Sequence, residues 1–314
     1  MHRINIGFSC DSNYSPYLGV SIFSILSNTK SPISFYILDL GIKEEDKKKL
    51  IDLCENKGAK ITFLDQRKVT IFNSLKRGEK ISIAAYFKLL IPQIVNCNKI
   101  ITIDVDTIIE GDINELWNTS IEGKIMGAIP SADIALANNC KKYLGIPQYK
   151  DYFCSGVMLI DCIKYKKNDI LKKVIEFISK NPEKIIIQEQ DGLNYIMQDN
   201  WFKLPYIWNV NHLFYYHSTL LRKKLGKQVD VIRKNPKLIH FTVRPWLFEK
   251  VHPLRNRFWF YARRSPWKDI NYKDITIKTI ILKIFRFIIR PVPIEIKLKV
   301  KDKIINGLLH MGLN

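Results

Sequence analysis

The chain has 314 residues, 46% of them hydrophobic and 25% charged, with only 14 Gly and 13 Pro. This excludes collagenous and low-complexity architectures and allows one large or two modest domains around a sizeable core. Fifty Lys and Arg against thirty Asp and Glu give a net charge of +20, and 14 basic but only 4 acidic residues lie between Val251 and Lys303, a bias that argues for anionic partners rather than for a fold.

Ile4 to Ser9 is a short apolar run that ends in the polar cluster Cys10-Asp11-Ser12-Asn13, and apolar residues then recur at helical spacing from Pro16 to Leu26; the pattern predicts strand, loop and helix. A buried strand is expected at Phe35 to Leu40, a charged helix at Lys43 to Cys54 with Leu50 and Leu53 facing inward, and a third strand at Lys60 to Leu64. A helix is predicted over Ile81 to Ile91, stopped by Pro92, and a β-branched strand over Lys99 to Ile103, with further strands at Ile125 to Ile129, Val157 to Ile160 and Leu238 to Phe241. Strands alternating with helices imply an α/β fold built on a largely parallel sheet. No repeat of 20–50 residues is visible, which argues against solenoids and propellers.

The cysteines Cys10, Cys54, Cys97, Cys140, Cys154 and Cys162 form no CxxC pair, and the N-terminal residues lack a secretory-leader pattern. Thiols packed as small hydrophobes in a reducing cytoplasm are therefore expected. No apolar run reaches the ~20 residues of a spanning helix, because Lys283, Arg286 and Arg290 interrupt the C-terminal stretch.

Two segments carry chemistry. Asp104-Val105-Asp106 closes a buried strand, and residues i and i+2 of an extended backbone share a face, so both carboxylates can converge on one hard cation. Open α/β sheets bind ligands at the carboxyl ends of their strands; the plainer reading is two solvated acids opening a loop. His240-Phe241-Thr242-Val243-Arg244-Pro245-Trp246 follows another short strand, where a neutral imidazole can complete a metal shell and a guanidinium can meet a phosphate. His240 also admits an ordinary hydrogen-bonded structural role. Asp11 and Asn13 can equally cap the following helix, and Glu189 and Asp191 can be acids favoured by a helix dipole.

Together these segments resemble glycosyltransferase family 8, retaining enzymes of the GT-A fold that include lipopolysaccharide galactosyl- and glucosyltransferases. The resemblance runs in motif order through IGFSCDSNYSPYLGVSIFSIL, ISIAAYFKLLIP, KIITIDVDTIIEGDINELW, DYFCSGVMLID, QEQDGLNYI and HFTVRPW. It implies a GT-A, Rossmann-like nucleotide-sugar domain over residues 1–250, with a mixed, mainly parallel sheet. The segment of Ser9, Cys10, Asp11 and Asn13 would hold the uridine of UDP-galactose or UDP-glucose, with Tyr14 on the base. Asp104, Asp106 and His240 would bind Mn²⁺ or Mg²⁺, with Val105 between the carboxylates lining the donor. Lys88 would stand near the metal carboxylates, where the family usually has Arg. Cys154 and Ser155 would line the donor sugar, and Arg244 would meet the diphosphate. Gln190 would lie nearest the reacting carbon, flanked by Glu189 and Asp191 as donor-sugar contacts. The chain departs from the family in carrying Cys154 for an Asn, Ser131 with Asp133 two residues on where an acid is usual, and a shorter HFTVRPW.

After Pro253 cations and aromatics mix (Arg255, Arg257, Phe258, Trp259, Arg263, Arg264, Trp267), and Ile277 to Arg290 and Glu295 to Leu309 read as amphipathic. Residues 251–314 are thus expected to form a basic, helical extension that associates with an anionic membrane surface and brings the enzyme to a glycan or lipid-linked acceptor on the inner face of the cytoplasmic membrane. A helix packed on the catalytic domain is the plainer alternative. No nucleic-acid reading module is visible, so no nucleic acid is expected. Two other functions stay open: a decayed, basic membrane- or nucleic-acid-binding protein, and a nucleotidyltransferase, which would need a Gly-rich phosphate loop that SCDSNYSP does not provide.

Overall fold

The computed structural model describes residues 3–75, 83–148, 151–198, 200–216, 218–248 and 252–288. Its main sheet has seven strands in the order β3-β2-β1-β4-β7-β6-β8: β1 Ile4–Cys10, β2 Ile33–Asp39, β3 Lys60–Asp65, β4 Lys99–Ile103, β6 Met126–Pro130, β7 Phe153–Asp161 and β8 Trp201–Lys203. Strands β3, β2, β1 and β4 run parallel, β7 is antiparallel to both β4 and β6, and β8 is parallel to β6. The mixed, mainly parallel sheet expected from the sequence is therefore present. A second ladder pairs β5 Thr107–Ile109 with β9 Leu238–His240.

Strand β1 has a neighbour on each edge; Ile4, Ile6 and Phe8 are fully buried on one face, and on the other a Cβ at Gly7 would lie 2.5 Å from the side chain of Ile91. The helix that follows, Ser15–Asn28, begins with Pro16 in its first turn, where the missing N–H costs nothing. The Glu44–Glu55 helix turns Leu50 and Leu53 inward and starts with three acids, which suit the positive end of its dipole. The chain order reverses between β1 and β4, which opens a crevice at the carboxyl ends of these two strands.

Two expectations are corrected. Pro92 does not end its helix: short turns at Ala84–Phe87, Lys88–Leu90 and Ile91–Ile94 run on, with Pro92 in the first turn of the last, where its ring is tolerated. The aromatic and basic stretch after Pro253, expected to stand apart from the catalytic domain within the 251–314 extension, packs on that domain in its first part. The Arg255–Ala262 helix and Trp267 contribute Phe258, Tyr261, Ala262 and Trp267 to the same core cluster as β1 and β2. The ring of Trp267 occupies the space a side chain would need at Gly19, with a ring atom 2.2 Å from where a Cβ would stand, and its Nε1 donates to Asp46 at 2.8 Å. The Ile277–Ile288 helix forms as expected, while the amphipathic segment read at Glu295 to Leu309 lies outside the described residues.

Candidate active site

At the end of β4 the chain turns through Asp104-Val105-Asp106 into β5. The β5–β9 ladder sets Thr107 opposite His240, and the N–H of Phe241 donates to the carbonyl of Asp106 at 2.8 Å. This short ladder brings a histidine remote in sequence to the paired acids. The Nε2 of His240 lies 3.3 Å from Asp106 Oδ1 and 3.9 Å from Asp104 Oδ2, and one ligand atom from each of the three residues falls within 4.8 Å of the others. Its Nδ1 is 2.9 Å from Asn209 Oδ1 and donates to it, leaving Nε2 to face the carboxylates. Two hard oxygen donors and one oriented imidazole fit a divalent transition ion.

Electrostatics bind the trio together. Burial favours a neutral Asp106, but the charge and hydrogen bond of His240 outweigh it and hold the carboxyl below its usual value. Burial would likewise depress His240, yet Asp106, joined by Cys154, raises the imidazole well above its ordinary value. The Cys154 thiol, pushed up by burial, is held below its usual value by hydrogen bonds to His240 and Asn209. Lys88 is buried and pairs with Asp104 and, at 3.3 Å, with Glu189. The amine stays charged because these carboxylates overcome its desolvation. Burial raises the Glu189 carboxyl, with Lys88 opposing and Asp104 adding to the effect.

The Gln188–Met197 helix forms the opposite wall. Gln190 Oε1 accepts from the N–H of Ser155 at 3.0 Å, and Gln190 Nε2 donates to Tyr152 Oη at 3.1 Å, so both ends of the carboxamide are fixed. Ser155 Oγ donates to Glu189 at 2.9 Å. Gln188 enters the helix at φ +29°, a strained value for a residue with a side chain, and its buried carboxamide has no hydrogen-bond partner among the described residues.

These groups line a cleft of about 480 Å³. Of the residues singled out in the sequence, Ser9, Cys10, Asp11, Tyr14, Lys88, Asp104, Val105, Asp106, Cys154, Ser155, Glu189, Gln190, His240 and Arg244 face it. Arg244 lies over the ring of Tyr14 at 5.3 Å, and Trp246 meets the same ring edge-on at 6.1 Å while stacking on Tyr17 at 3.5 Å. Asp11 also organises the turn, its Oδ1 accepting from the N–H groups of Asn13 and Tyr14 at 2.9 and 3.2 Å.

Two residues do not face the cleft. Asn13 is exposed on the turn. Asp191, one helical step past Gln190, points behind the wall, where Tyr152 Oη donates to it at 2.6 Å and the N–H groups of Ile186 and Ile187 also donate; it braces the helix start rather than facing a sugar.

The sequence reading also missed residues. Asn209 orients His240 but carries no motif. Gly156 is the position against which His240 packs, since a Cβ there would lie 2.5 Å from His240 Cε1 and 3.2 Å from Asp104 Oδ2. Ser131 and Asp133, by contrast, were singled out in the sequence as a departure from the family, and both reach the cleft, just beyond the irregularity between Ala128 and Ile129 in the β6–β7 ladder, a feature that re-aims the chain.

The model of glycosyl transferase family 8 matches residues 5–250. The chain belongs to glycosyltransferase family 8. It is 30% identical over 276 residues to general stress protein A of Bacillus subtilis strain 168, covering 83% of this family 8 chain and 94% of that protein. It is 24% identical to the lipopolysaccharide 1,2-glucosyltransferase of Escherichia coli K12, over 86% of this chain and 81% of that one. Among solved structures, the galactosyltransferase LgtC in complex with donor and acceptor sugar analogs superposes with a TM-score of 0.74 at 23% identity, covering 84% of this chain and 96% of LgtC. At that identity the likeness is one of fold, and it places this family 8 glycosyltransferase in the GT-A architecture.

Proposed function

We propose that this glycosyltransferase moves a hexose, galactose or glucose, from its UDP-sugar to a lipopolysaccharide or other surface-glycan acceptor, with retention of configuration. The observation that carries the reading is the convergence of Asp104, Asp106 and an Asn209-oriented His240 on one point of the cleft. These three residues would hold Mn²⁺ or Mg²⁺, which when bound supplies Lewis-acid neutralisation of the charge that grows on the departing diphosphate. Arg244, standing over the Tyr14 ring, brings a second positive group to the same end of the cleft. Lys88 offsets the negative charge of Asp104 and Glu189, so that the acids can sit together in a buried wall.

Gln190 is suited to lining the reaction rather than attacking. Its oxygen already accepts from Ser155, its nitrogen already donates to Tyr152, and a carboxamide is a poor nucleophile. A fixed amide dipole facing the sugar can stabilise positive charge at the anomeric carbon. Donor panels test the reading. Incubated with Mn²⁺ and a range of UDP-sugars, the protein is expected to release UDP from one hexose donor far faster than from the others and to give an α-linked product by NMR. Absence of UDP release from every donor would reject it in favour of a decayed enzyme.

The proposed place of action is the cytoplasmic face of a membrane, and the Ile277–Ile288 helix supports the membrane-surface part of that reading. Ile277, Ile280 and Ile284 recur on one helical stripe and are 59%, 39% and 55% exposed, a pattern that suits an interfacial helix better than one packed on a protein core. No helix among the described residues is long and apolar enough to cross a membrane.

A further inference from the structure

Pro16 stands in the first turn of the Ser15–Asn28 helix and has no N–H to offer the carbonyl of Asn13. The next N–H, that of Tyr17, donates to Tyr14 at 3.0 Å. The Asn13 carbonyl is met instead by the amine of Lys273, whose Nζ donates to it at 3.5 Å. This lysine lies beyond residues 5–250, the span matched by the family, and its amine also stands 5.1 Å from the centre of the Tyr17 ring.

The backbone of the same residue is fixed to a second segment. Its N–H donates to the Trp246 carbonyl at 3.1 Å, and the carboxylate of the adjoining Asp274 accepts from the N–H of Phe248. The ring of Tyr272 meets Phe248 edge-on at 5.6 Å and Trp259 at 4.8 Å. Three consecutive residues, Tyr272 to Asp274, thus clasp the chain from Trp246 to Phe248. Both segments that Lys273 joins run into the cleft: Asp11 and Tyr14 line it from one, Thr242 and Arg244 from the other. They also touch each other, since Arg244 stands over the Tyr14 ring and Trp246 packs against Tyr14 and Tyr17.

We propose that Lys273 is a positioning residue for the donor: its backbone holds the Trp246 loop, its amine holds the Asp11–Tyr14 turn, and together they fix the spacing of Tyr14 and Arg244 that a nucleoside diphosphate would bridge. The proposal rests on reading the cleft as the donor site. A cation suits this place better than a neutral side chain, because a carbonyl oxygen and an aromatic face both present negative charge to it. Setting two contacts in place before the donor arrives lowers the ordering cost of binding. The gain therefore belongs to affinity and not to the chemical step.

The test uses the full chain with Mn²⁺, and UDP as the probe. In Lys273→Met the backbone bond to Trp246 remains and only the amine is lost. Titration calorimetry is expected to show UDP bound roughly fivefold more weakly by this variant, the scale of one exposed cation contact. Lys273→Arg should bind UDP within about twofold of wild type, because a guanidinium also sits over aromatic faces. With the UDP-sugar that is turned over fastest, KM should rise by the same factor in the methionine variant while kcat keeps its wild-type value. The thermal transition should not move, since the lysine is exposed. Equal UDP affinity in wild type and Lys273→Met would overturn the brace. So would a fall in kcat at unchanged KM, or an arginine variant as weak as the methionine one. If wild type itself binds no UDP, the donor reading fails and the brace with it; UDP binding by wild type that the methionine variant matches removes the brace alone.

Discussion

His240 meets the acids through Nε2 because Asn209 engages Nδ1, and the neighbouring Asp106 favours the protonated imidazole, raising it above its ordinary value. A divalent ion must displace that proton, so binding couples to its release. Since the folded pKa of His240 is raised, competition from the proton extends upward in pH and eases as pH rises through that value. Apparent Mn²⁺ affinity is expected to strengthen with pH, and calorimetry in buffers of different ionisation enthalpy should register the released proton; affinity independent of pH would contradict the assigned ligand set. The two acids were legible in the sequence, because a β-branched strand ending in DxD fixes their shared face. Asn209 and Gly156 were not, since a loop asparagine and a strand glycine have many ordinary uses. Their roles exist only as distances to His240, which a one-dimensional pattern does not carry.

At the scale of elements, long strands and amphipathic helices were readable because burial leaves a periodic trace over many residues. The three-residue strands β5 and β8 are too short to leave one, and β5 is half of the ladder that delivers His240. The Arg255–Ala262 segment misled for a different reason: mixed arginines and aromatics look the same whether the rings face water, lipid or a core. Here Phe258, Tyr261 and Trp267 face the core while Phe260 stays exposed, with Trp267 seated on Gly19 and Arg257 paired with Glu110. Trp267→Ala should therefore cost about 3–5 kcal/mol of stability, the scale for emptying a buried aromatic site, read from urea denaturation. A loss well under 1 kcal/mol would mean that this segment is not part of the catalytic unit.

The net charge of +20 divides along the whole molecule. About half lies between Val251 and Lys303, and the described part of that region splits again, into a part packed into the catalytic core beside the Ser15–Asn28 helix and a helix beyond it with an exposed isoleucine stripe. The junction is marked by the N–H of Lys273, which donates to the Trp246 carbonyl at 3.1 Å, and by the pairing of Phe248 with Asp274. Truncation after Thr276 should abolish cosedimentation with phosphatidylglycerol vesicles while leaving the thermal transition nearly unchanged, because each basic residue at a surface contributes only about 1 kcal/mol and the apolar stripe must add the rest. Vesicle binding that survives this truncation would place the anchor elsewhere. The central claim, that Asp104, Asp106 and His240 hold the ion on which sugar transfer depends, is tested most directly by comparing wild type and Asp106→Ala for UDP release from the preferred UDP-sugar with Mn²⁺ present. The account predicts that the variant folds normally and that its rate falls by roughly a hundredfold or more, the scale of several kcal/mol of lost charge stabilisation; turnover equal to wild type would contradict it.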